Sequence, residues 1–261
     1  MTTRRDTTAS AVTAGLLGVL TLTVVARIAL GSQRGQQWDE SAMNAVVGGR
    51  DTQLAVLSLL GYVGIGAIVA VVVACAAVAV VRGSIALAAG AVVVVAGSNV
   101  TTQVLKHSVL DRPDLGLGTL NSLPSGHTTV VASAVGASLL VAPRVWKPMI
   151  AVAGGFAATL TGASTIVAGW HRPSDVVAAL AVSLIWTAGV SLLLRGPSAP
   201  VAGTAAGAAV GCVGALLVLM AIGVRPVDGW GGFTDAALVL GAVAAATAVF
   251  TSAAAAASPA R

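Results

Sequence analysis

Eight long apolar segments, separated by short polar loops, constrain the fold of this chain more than any other feature. A helix needs roughly 20 mostly apolar residues to cross a bilayer, and the segments fit that requirement. The second is long enough to begin as an interfacial helix at 54–60 and to cross after Gly61. The sequence therefore predicts an all-α, polytopic membrane helix bundle. The predicted spans are 9–30, 54–81, 84–105, 125–142, 148–169, 174–194, 201–223 and 235–257.

The scarcity of charge supports a membrane location. Charged residues make up 9% of the 261 residues, whereas soluble domains carry about 25%. The net charge is +5, but the basic residues are scattered between apolar runs, so we predict no nucleic-acid partner. Cys75 and Cys212 each lie inside an apolar run, which predicts packing residues rather than a disulfide or a metal pair.

The basic residues of the loops are almost evenly divided between the two membrane faces, so their count alone gives no orientation. Lys106, Arg112 and Arg172 have chemical roles, proposed below, and therefore do not report topology. Without them, the balance favours cytoplasmic N- and C-termini in a multi-pass protein of the plasma (inner) membrane. No cleavage site follows the first apolar run, so we predict that the first span is retained.

All three histidines fall in polar clusters on one predicted face, the outer one. The first cluster contains Lys106, His107, Arg112 and Pro113. A Lys supplies a point charge and an Arg a planar fork for phosphate oxygens, so the cluster suits an anion. Basic residues that merely anchor the end of a span would give the same local pattern.

The second cluster, residues 121–129, places Ser125, Gly126 and His127 directly after Pro124 and before an apolar run. This pattern marks a helix N-terminus, whose free N–H groups bind anions. The Ser125 hydroxyl adds a donor, and Gly126 lets an oxygen approach the backbone. His127 then lies in the first turn, facing the anion. The alternative is an ordinary helix cap with a chance histidine.

The third cluster has His171 and Asp175 four residues apart, with Arg172 between them. A carboxylate that holds one nitrogen of a histidine ring leaves the other nitrogen free as a nucleophile. The alternative is an interfacial ion pair, with Trp170 as a membrane-interface anchor.

Together the clusters resemble the type-2 phosphatidic acid phosphatase family, which shares its site with vanadium haloperoxidases and glucose-6-phosphatase. The family pattern is Lys, six residues and Arg-Pro, then Pro-Ser-Gly-His, then Ser-Arg, five residues, His, three residues and Asp. The segment 124–127 matches completely, and His171 with Asp175 matches the end of the third motif. The chain departs from the pattern twice. Five residues separate Lys106 from Arg112, and Thr165 stands where the family has Arg.

The resemblance implies a role for each matching residue. His171 would attack phosphorus, His127 would act as general acid and then base, and Asp175 would orient His171. The missing cation at Thr165 makes Arg172 and His107 candidates to supply charge instead. The resemblance implies no metal or other cofactor. The groups that would hold the phosphate oxygens are Lys106, Arg112, Ser125 and Gly126.

The resemblance also implies a six-helix phosphatase core, residues 1–195, followed by two additional transmembrane helices in 196–261. The expected partner is a lipid phosphate in the bilayer, either a monoester or a diphosphate. The Ala- and Gly-rich, Lys-poor composition is similar to that of high-GC actinobacterial proteomes, which adds polyprenyl phosphates of cell-wall synthesis as candidates. The alternatives are a lipid phosphotransferase and a catalytically degenerate lipid-binding or transport protein.

Two smaller features have competing interpretations. Gly207 and Gly211 form a GxxxG motif, for which intramolecular packing is favoured over a homodimer face. Trp38, Asp39 and Glu40 lie in the first outer loop, where ordinary interfacial residues are favoured over the lining of a substrate entrance.

Overall fold

The computed structural model describes residues 5–194, 197–198 and 202–259. The predicted domain boundary at 195–196 lies outside these ranges. So do the first four residues, Arg195 and Arg261, which contribute to the orientation prediction. The described residues form ten α-helices. They are α1 Thr7–Gly31, α2 Gln33–Met43, α3 Arg50–Tyr62, α4 Ile65–Val81, α5 Ile85–Val104, α6 Gly126–Val141, α7 Lys147–Val167, α8 Pro173–Leu194, α9 Thr204–Ala221 and α10 Phe233–Ala257.

Each predicted apolar segment contains helix, which confirms an all-α, polytopic membrane bundle. Six helices, namely α1, α5 and α7–α10, are long and apolar enough to cross a membrane. The second predicted segment is divided between α3 and α4, which are bent by 46° at a short break, close to the predicted change near Gly61. The apolar helix α6 is shorter, with 16 residues.

Helix α2 lies in the first outer loop, where the sequence analysis predicted no helix. The Ser32 hydroxyl caps its N-terminus by accepting a hydrogen bond from the Gly35 N–H at 3.0 Å. The helix has 11 mostly polar residues, so its sequence lacks the long apolar run by which the membrane-spanning helices were predicted. It packs against α1 and α8, which brings its side chains close to the third polar cluster.

Two short antiparallel ribbons join distant loops. Strand β1, Arg5–Asp6, pairs with β3, Pro197–Ser198. Strand β2, Val46–Val47, pairs with β4, Arg225–Pro226. The second ribbon connects the loop after α2 to the loop between α9 and α10, so these two loops lie at the same end of the bundle.

The GxxxG motif of α9 packs against α7 of the same chain, as the favoured interpretation predicts. A Cβ atom at Gly211 would lie 2.0 Å from the carbonyl oxygen of Val152, and one at Gly207 would lie 2.8 Å from that of Pro148. Hydrogen in place of a side chain therefore allows the two helix backbones to touch. Helices α9 and α10 share one apolar core with α7 and α8, and their separation as a domain stays a prediction.

Replacing Gly211 by Ala is expected to destabilise the protein by about 1–3 kcal/mol, because the new methyl group must push the α7 backbone away. Gly214→Ala is the matched control, since a Cβ there would meet only the Phe156 ring at 3.6 Å. Thermal unfolding of both variants in detergent measures the difference. Equal melting temperatures would contradict the close contact between α7 and α9.

Lys147, at the start of α7, is completely buried. Its ammonium group donates hydrogen bonds to three carbonyl oxygens at the end of α10, those of Ala255 (3.4 Å), Ser258 (2.9 Å) and Pro259 (3.3 Å). A cation is favourable there because the last carbonyls of a helix have no partners within it. Lys147 is thus a helix cap as well as one of the basic residues counted in the orientation prediction.

Candidate active site

The three polar clusters meet at one end of the bundle because α5, α6 and α8 pack against one another. The first cluster begins in a π-helical turn, Leu105–Val109, that continues α5. The backbone N–H of Ser125 donates to the carbonyl oxygen of Asp175 at 2.9 Å and joins the second cluster to the third. The Asn121 amide donates to the carbonyl oxygens of Lys106 (3.2 Å) and Leu110 (2.6 Å), which joins the second cluster to the first.

His171 and Asp175 form a buried pair in which Nδ1 of the ring lies 3.1 Å from Oδ2 of the carboxylate. They are 8% and 1% exposed. An ionised carboxylate only accepts hydrogen bonds, so this contact requires a hydrogen on Nδ1. In the neutral ring Nε2 then carries the lone pair. The predicted spacing of four residues thus gives the geometry expected for an oriented nucleophile.

Oδ2 of Asp175 accepts two further hydrogen bonds. The Ser122 hydroxyl donates to it at 2.6 Å, and the backbone N–H of Arg172 donates at 2.9 Å. Asp175 is therefore held by groups from two clusters. The sequence analysis assigned no role to Ser122, which no local spacing pattern links to Asp175.

His127 occupies the first turn of α6, and its ring contacts Trp170 with centroids 5.6 Å apart and an angle of 38° between the planes. It lies within electrostatic reach of His171 and Lys106. The two histidines of the predicted chemistry therefore share one site, and the indole of Trp170 lies next to the His127 ring.

The beginning of α6 has the geometry of an anion-binding helix N-terminus. Ser125 is its N-cap, and the hydroxyl oxygen accepts hydrogen bonds from the backbone N–H (3.4 Å) and the hydroxyl (3.1 Å) of Thr128. A Cβ atom at Gly126 would have only Gln103 Nε2 within 4 Å, at 3.9 Å. Packing within the protein therefore does not require glycine at this position.

Arg112 is 5% exposed, yet in the described part of the chain its Nε and Nη2 atoms have no hydrogen-bond partner. Burial lowers the pKa of the guanidinium, and the positive charge of Arg172 lowers it further, whereas Asp39, Asp175 and Glu40 raise it. An arginine nevertheless stays protonated in proteins. Buried donors normally have partners, so this charged group is suited to an anionic ligand.

Thr165, which stands where the family has Arg, is completely buried at the end of α7. Its hydroxyl donates to the carbonyl oxygen of Gly162 at 2.7 Å. Its own carbonyl oxygen accepts from the backbone N–H groups of Trp170 (3.0 Å) and His171 (3.2 Å). Thr165 therefore supports the backbone that carries the nucleophile and brings no positive charge.

The two candidates for replacing that charge differ in their contacts. All three guanidinium nitrogens of Arg172 contact protein groups: Nε and Nη2 lie 2.7 Å and 2.6 Å from Glu40 Oε2, and Nη1 donates to the Ser122 hydroxyl at 3.2 Å. His107 is exposed, and among the described residues its ring has no hydrogen bond or ion pair. Arg112 is thus the arginine of this site with donors still available.

Helix α2 contributes a group of residues that the sequence analysis did not assign to the site. Asp39 accepts hydrogen bonds from the backbone N–H of Ser174 at 3.1 Å and from its hydroxyl. Burial raises the pKa of Asp39 to about 6, although the bonds from Ser174 oppose the shift. Gln36 donates to the carbonyl oxygen of Pro113 at 3.1 Å. The spacing of Gln36, Asp39 and Glu40 along one helix face was the available signal.

Comparison with known families gives a match between residues 87–198 and the family model described as PAP2 superfamily. The matched segment runs from α5 to the end of α8 and includes all three polar clusters. The searches of curated proteins and of solved structures gave no match. Residues 87–198 thus match the PAP2 superfamily, within a chain that has the fold of a multi-pass membrane protein of phosphatase type.

Proposed function

We propose that the protein is an integral-membrane phosphatase that hydrolyses a lipid or polyprenyl phosphate, as monoester or diphosphate, on the extracytoplasmic face. The observation that carries this proposal is the oriented His171–Asp175 pair within electrostatic reach of the buried Arg112, whose Nε and Nη2 have no partner among the described residues. A nucleophile and a cation with available donors, within a PAP2 segment, fit phosphoryl transfer.

In the proposed reaction, Nε2 of His171 attacks phosphorus in line and forms an N–P bond while the bond to the lipid oxygen breaks. His127 gives a proton to the leaving alkoxide. Water then attacks the phosphohistidine and loses a proton to His127, the N–P bond breaks, and inorganic phosphate leaves. Asp175 keeps the Nδ1 hydrogen of His171 in place and stabilises the positive ring during both steps.

The phosphate oxygens would be held by groups from the first two clusters. Arg112 offers Nε and Nη2, and Lys106 adds a second positive charge within electrostatic reach of Asp175. Ser125 accepts two hydrogen bonds and keeps its own hydroxyl hydrogen to donate. The open space at Gly126 lets an oxygen approach the first N–H groups of α6.

A cavity of about 800 Å³ supports a lipid substrate. It runs along α6 between α4 and α7, from Val130, close to one turn beyond His127, to Val141 at the other end of the helix. Apart from Ser138 and Thr161, near opposite ends, its lining is almost wholly apolar. An acyl or prenyl chain would fit beside α6 while its phosphate group reaches the histidines.

Phosphate release by the purified protein tests the proposal. We would compare phosphatidic acid, phosphatidylglycerol phosphate, polyprenyl monophosphate and diphosphate, and a soluble phosphomonoester in the same detergent. Release from a lipid phosphate, faster than from the soluble ester, is the expected result. No release from any member of the panel would contradict the proposal. That result would instead support the second candidate, a catalytically degenerate lipid-binding or transport protein. The observation in favour of this candidate is the missing positive charge at Thr165.

Filling the cavity should separate lipid recognition from phosphate chemistry. Ala134 lines it on α6, and Ala134→Trp is expected to lower kcat/KM for a long-chain lipid phosphate by roughly tenfold or more, because part of the buried apolar contact, about 0.8 kcal/mol per CH₂, is lost. Hydrolysis of the soluble ester should be unchanged. Ala89→Trp, at an exposed position on α5, is the control. Equal losses for both substrates would argue against this cavity as the chain-binding site.

The same intermediate could pass its phosphoryl group to an alcohol instead of water, which would make the protein a phosphotransferase. Adding candidate alcohols to the assay distinguishes the two reactions. A phosphorylated alcohol that appears at the expense of inorganic phosphate would support transfer. Inorganic phosphate as the unchanged product would support hydrolysis.

A further inference from the structure

We propose that Glu40, Arg172 and Ser122 form a relay that positions Asp175 and thereby fixes the ring of His171. In this relay Arg172 is a positioning residue and not a phosphate ligand, and α2 becomes part of the site. The inference rests on the proposed function, in which His171 is the nucleophile.

The hydrogen-bond directions in the relay follow from the donors available. Arg172 Nη1 can only donate, so the Ser122 oxygen accepts at this contact of 3.2 Å. The single hydroxyl hydrogen of Ser122 is then free to point to Asp175 Oδ2, 2.6 Å away. Arg172 thus prevents Ser122 from turning its hydrogen elsewhere. Asp175 consequently receives a short hydrogen bond that holds its carboxylate in place.

Arg172 would not keep this orientation without a partner of opposite charge. Nε and Nη2 both contact the same oxygen of Glu40, at 2.7 Å and 2.6 Å, which fixes the plane of the guanidinium group. Both side chains are shielded, with exposures of 11% for Arg172 and 28% for Glu40. The pair is therefore less screened than a surface ion pair.

A second contact from α2 holds the same segment of backbone. Asp39, the neighbour of Glu40, accepts hydrogen bonds from the backbone and the hydroxyl of Ser174 at the start of α8. The two carboxylates of α2 therefore bind the residues on either side of Pro173, between His171 and Asp175 in sequence. One short polar helix sets the position of the whole third cluster.

The relay explains why a cation so close to the site does not act on phosphate. All three nitrogens of Arg172 are engaged with Glu40 or Ser122, and the Glu40 carboxylate offsets the positive charge. Arg112 differs, because two of its nitrogens have no protein partner in the described residues. The two arginines of the site thus have separate tasks, positioning and binding.

The first test observes the His171 ring directly and does not depend on activity. The full-length protein in detergent, with ¹⁵N-labelled histidine, contains only three histidines, and His171→Gln identifies the signal. We expect the neutral wild-type ring to carry its hydrogen on Nδ1. Glu40→Gln and Ser122→Ala should give a mixture of tautomers, whereas Ser122→Thr, which keeps the hydroxyl, should restore the wild-type spectrum. An unchanged His171 signal in both Glu40→Gln and Ser122→Ala would overturn the proposal.

The second test is kinetic. Glu40→Gln and Arg172→Gln are each expected to lower kcat by roughly 10- to 100-fold, by analogy with the loss seen when partners that orient a metal-binding histidine are removed. KM and the inhibition constant of inorganic phosphate should stay within about twofold, since no phosphate contact is lost. The double variant should be no slower than the worse single one. A raised inhibition constant in Arg172→Gln, with kcat preserved, would make Arg172 a phosphate ligand and overturn the proposal.

Two controls separate this inference from the proposed function and from unfolding. Asp51→Asn removes an exposed carboxylate at the start of α3 and should change neither readout. If the wild-type protein releases no phosphate, the proposed function fails, while the tautomer measurement still decides on the relay. If Glu40→Gln does not fold, the pair Ser122→Ala and Ser122→Thr decides in its place.

Discussion

His171→Ala is expected to lower the rate of phosphate release by roughly ten-thousandfold to a millionfold, the range typical for removal of one member of a catalytic triad. The ring is the only protein group in the proposed reaction that bonds to phosphorus, and no other described histidine is hydrogen-bonded to a carboxylate. The measurement is phosphate release from the best lipid substrate, together with rapid quenching to trap phosphohistidine. We expect the trapped intermediate in the wild type and none in the variant.

His107→Ala is the matched control, because His107 is exposed and has no hydrogen bond among the described residues. Its activity should stay within about twofold of the wild type. Phosphate release by His171→Ala at the wild-type rate would rule out the phosphohistidine mechanism. Equal, severe losses in both variants would show that the assay reports folding and not chemistry.

Arg112→Gln is expected to lower kcat by roughly 100- to 1,000-fold, the usual loss when one preorganised donor to the transition state is removed. The effect should be at the high end because Thr165 supplies no cation and Arg172 is paired with Glu40. Arg112→Lys should recover only part of the activity, since an ammonium group lacks the planar fork. Steady-state kinetics of the three proteins measure the effect.

Arg112→Gln is also expected to affect stability, and here the change should be neutral or favourable although activity falls. Arg112 is a buried charge whose Nε and Nη2 have no partner in the part of the chain that the structure describes, which costs folding free energy. Arg112→Gln should therefore melt at the same or a higher temperature than the wild type. Arg50→Gln, at an exposed position in α3, is the charge control and should change neither property. A large drop in melting temperature for Arg112→Gln would assign the side chain a structural role.

The parts of the molecule that follow from local patterns could be predicted from the sequence. Apolar runs of membrane length specify the helices, because the bilayer leaves few other solutions. The start of α6 could be located at Ser125, since Pro and Ser before an apolar run mark a cap. His171 and Asp175 lie one helical turn apart in sequence, and they meet as that spacing requires.

The relay could not be predicted, because its members are far apart in the chain. Arg172 and Glu40 are separated by 132 positions, and Arg172 and Ser122 by 50. No periodicity links residues at such distances, and only the packing of α2 against α8 brings them together. The sequence analysis had interpreted Glu40 as an ordinary interfacial residue. Its contacts assign it to the site because the first outer loop contains α2, a short helix that packs against α8.

The cap that Lys147 provides has a consequence for how the protein is made. Translation delivers α7 more than a hundred residues before the carbonyl groups of Ala255, Ser258 and Pro259, to which the Lys147 ammonium donates. During that interval the ammonium has none of these final partners, and a charge in an apolar environment is costly. The arrival of α10 completes the solvation of a cation that was inserted long before it. The final packing of the start of α7 is therefore coupled to the synthesis of α10.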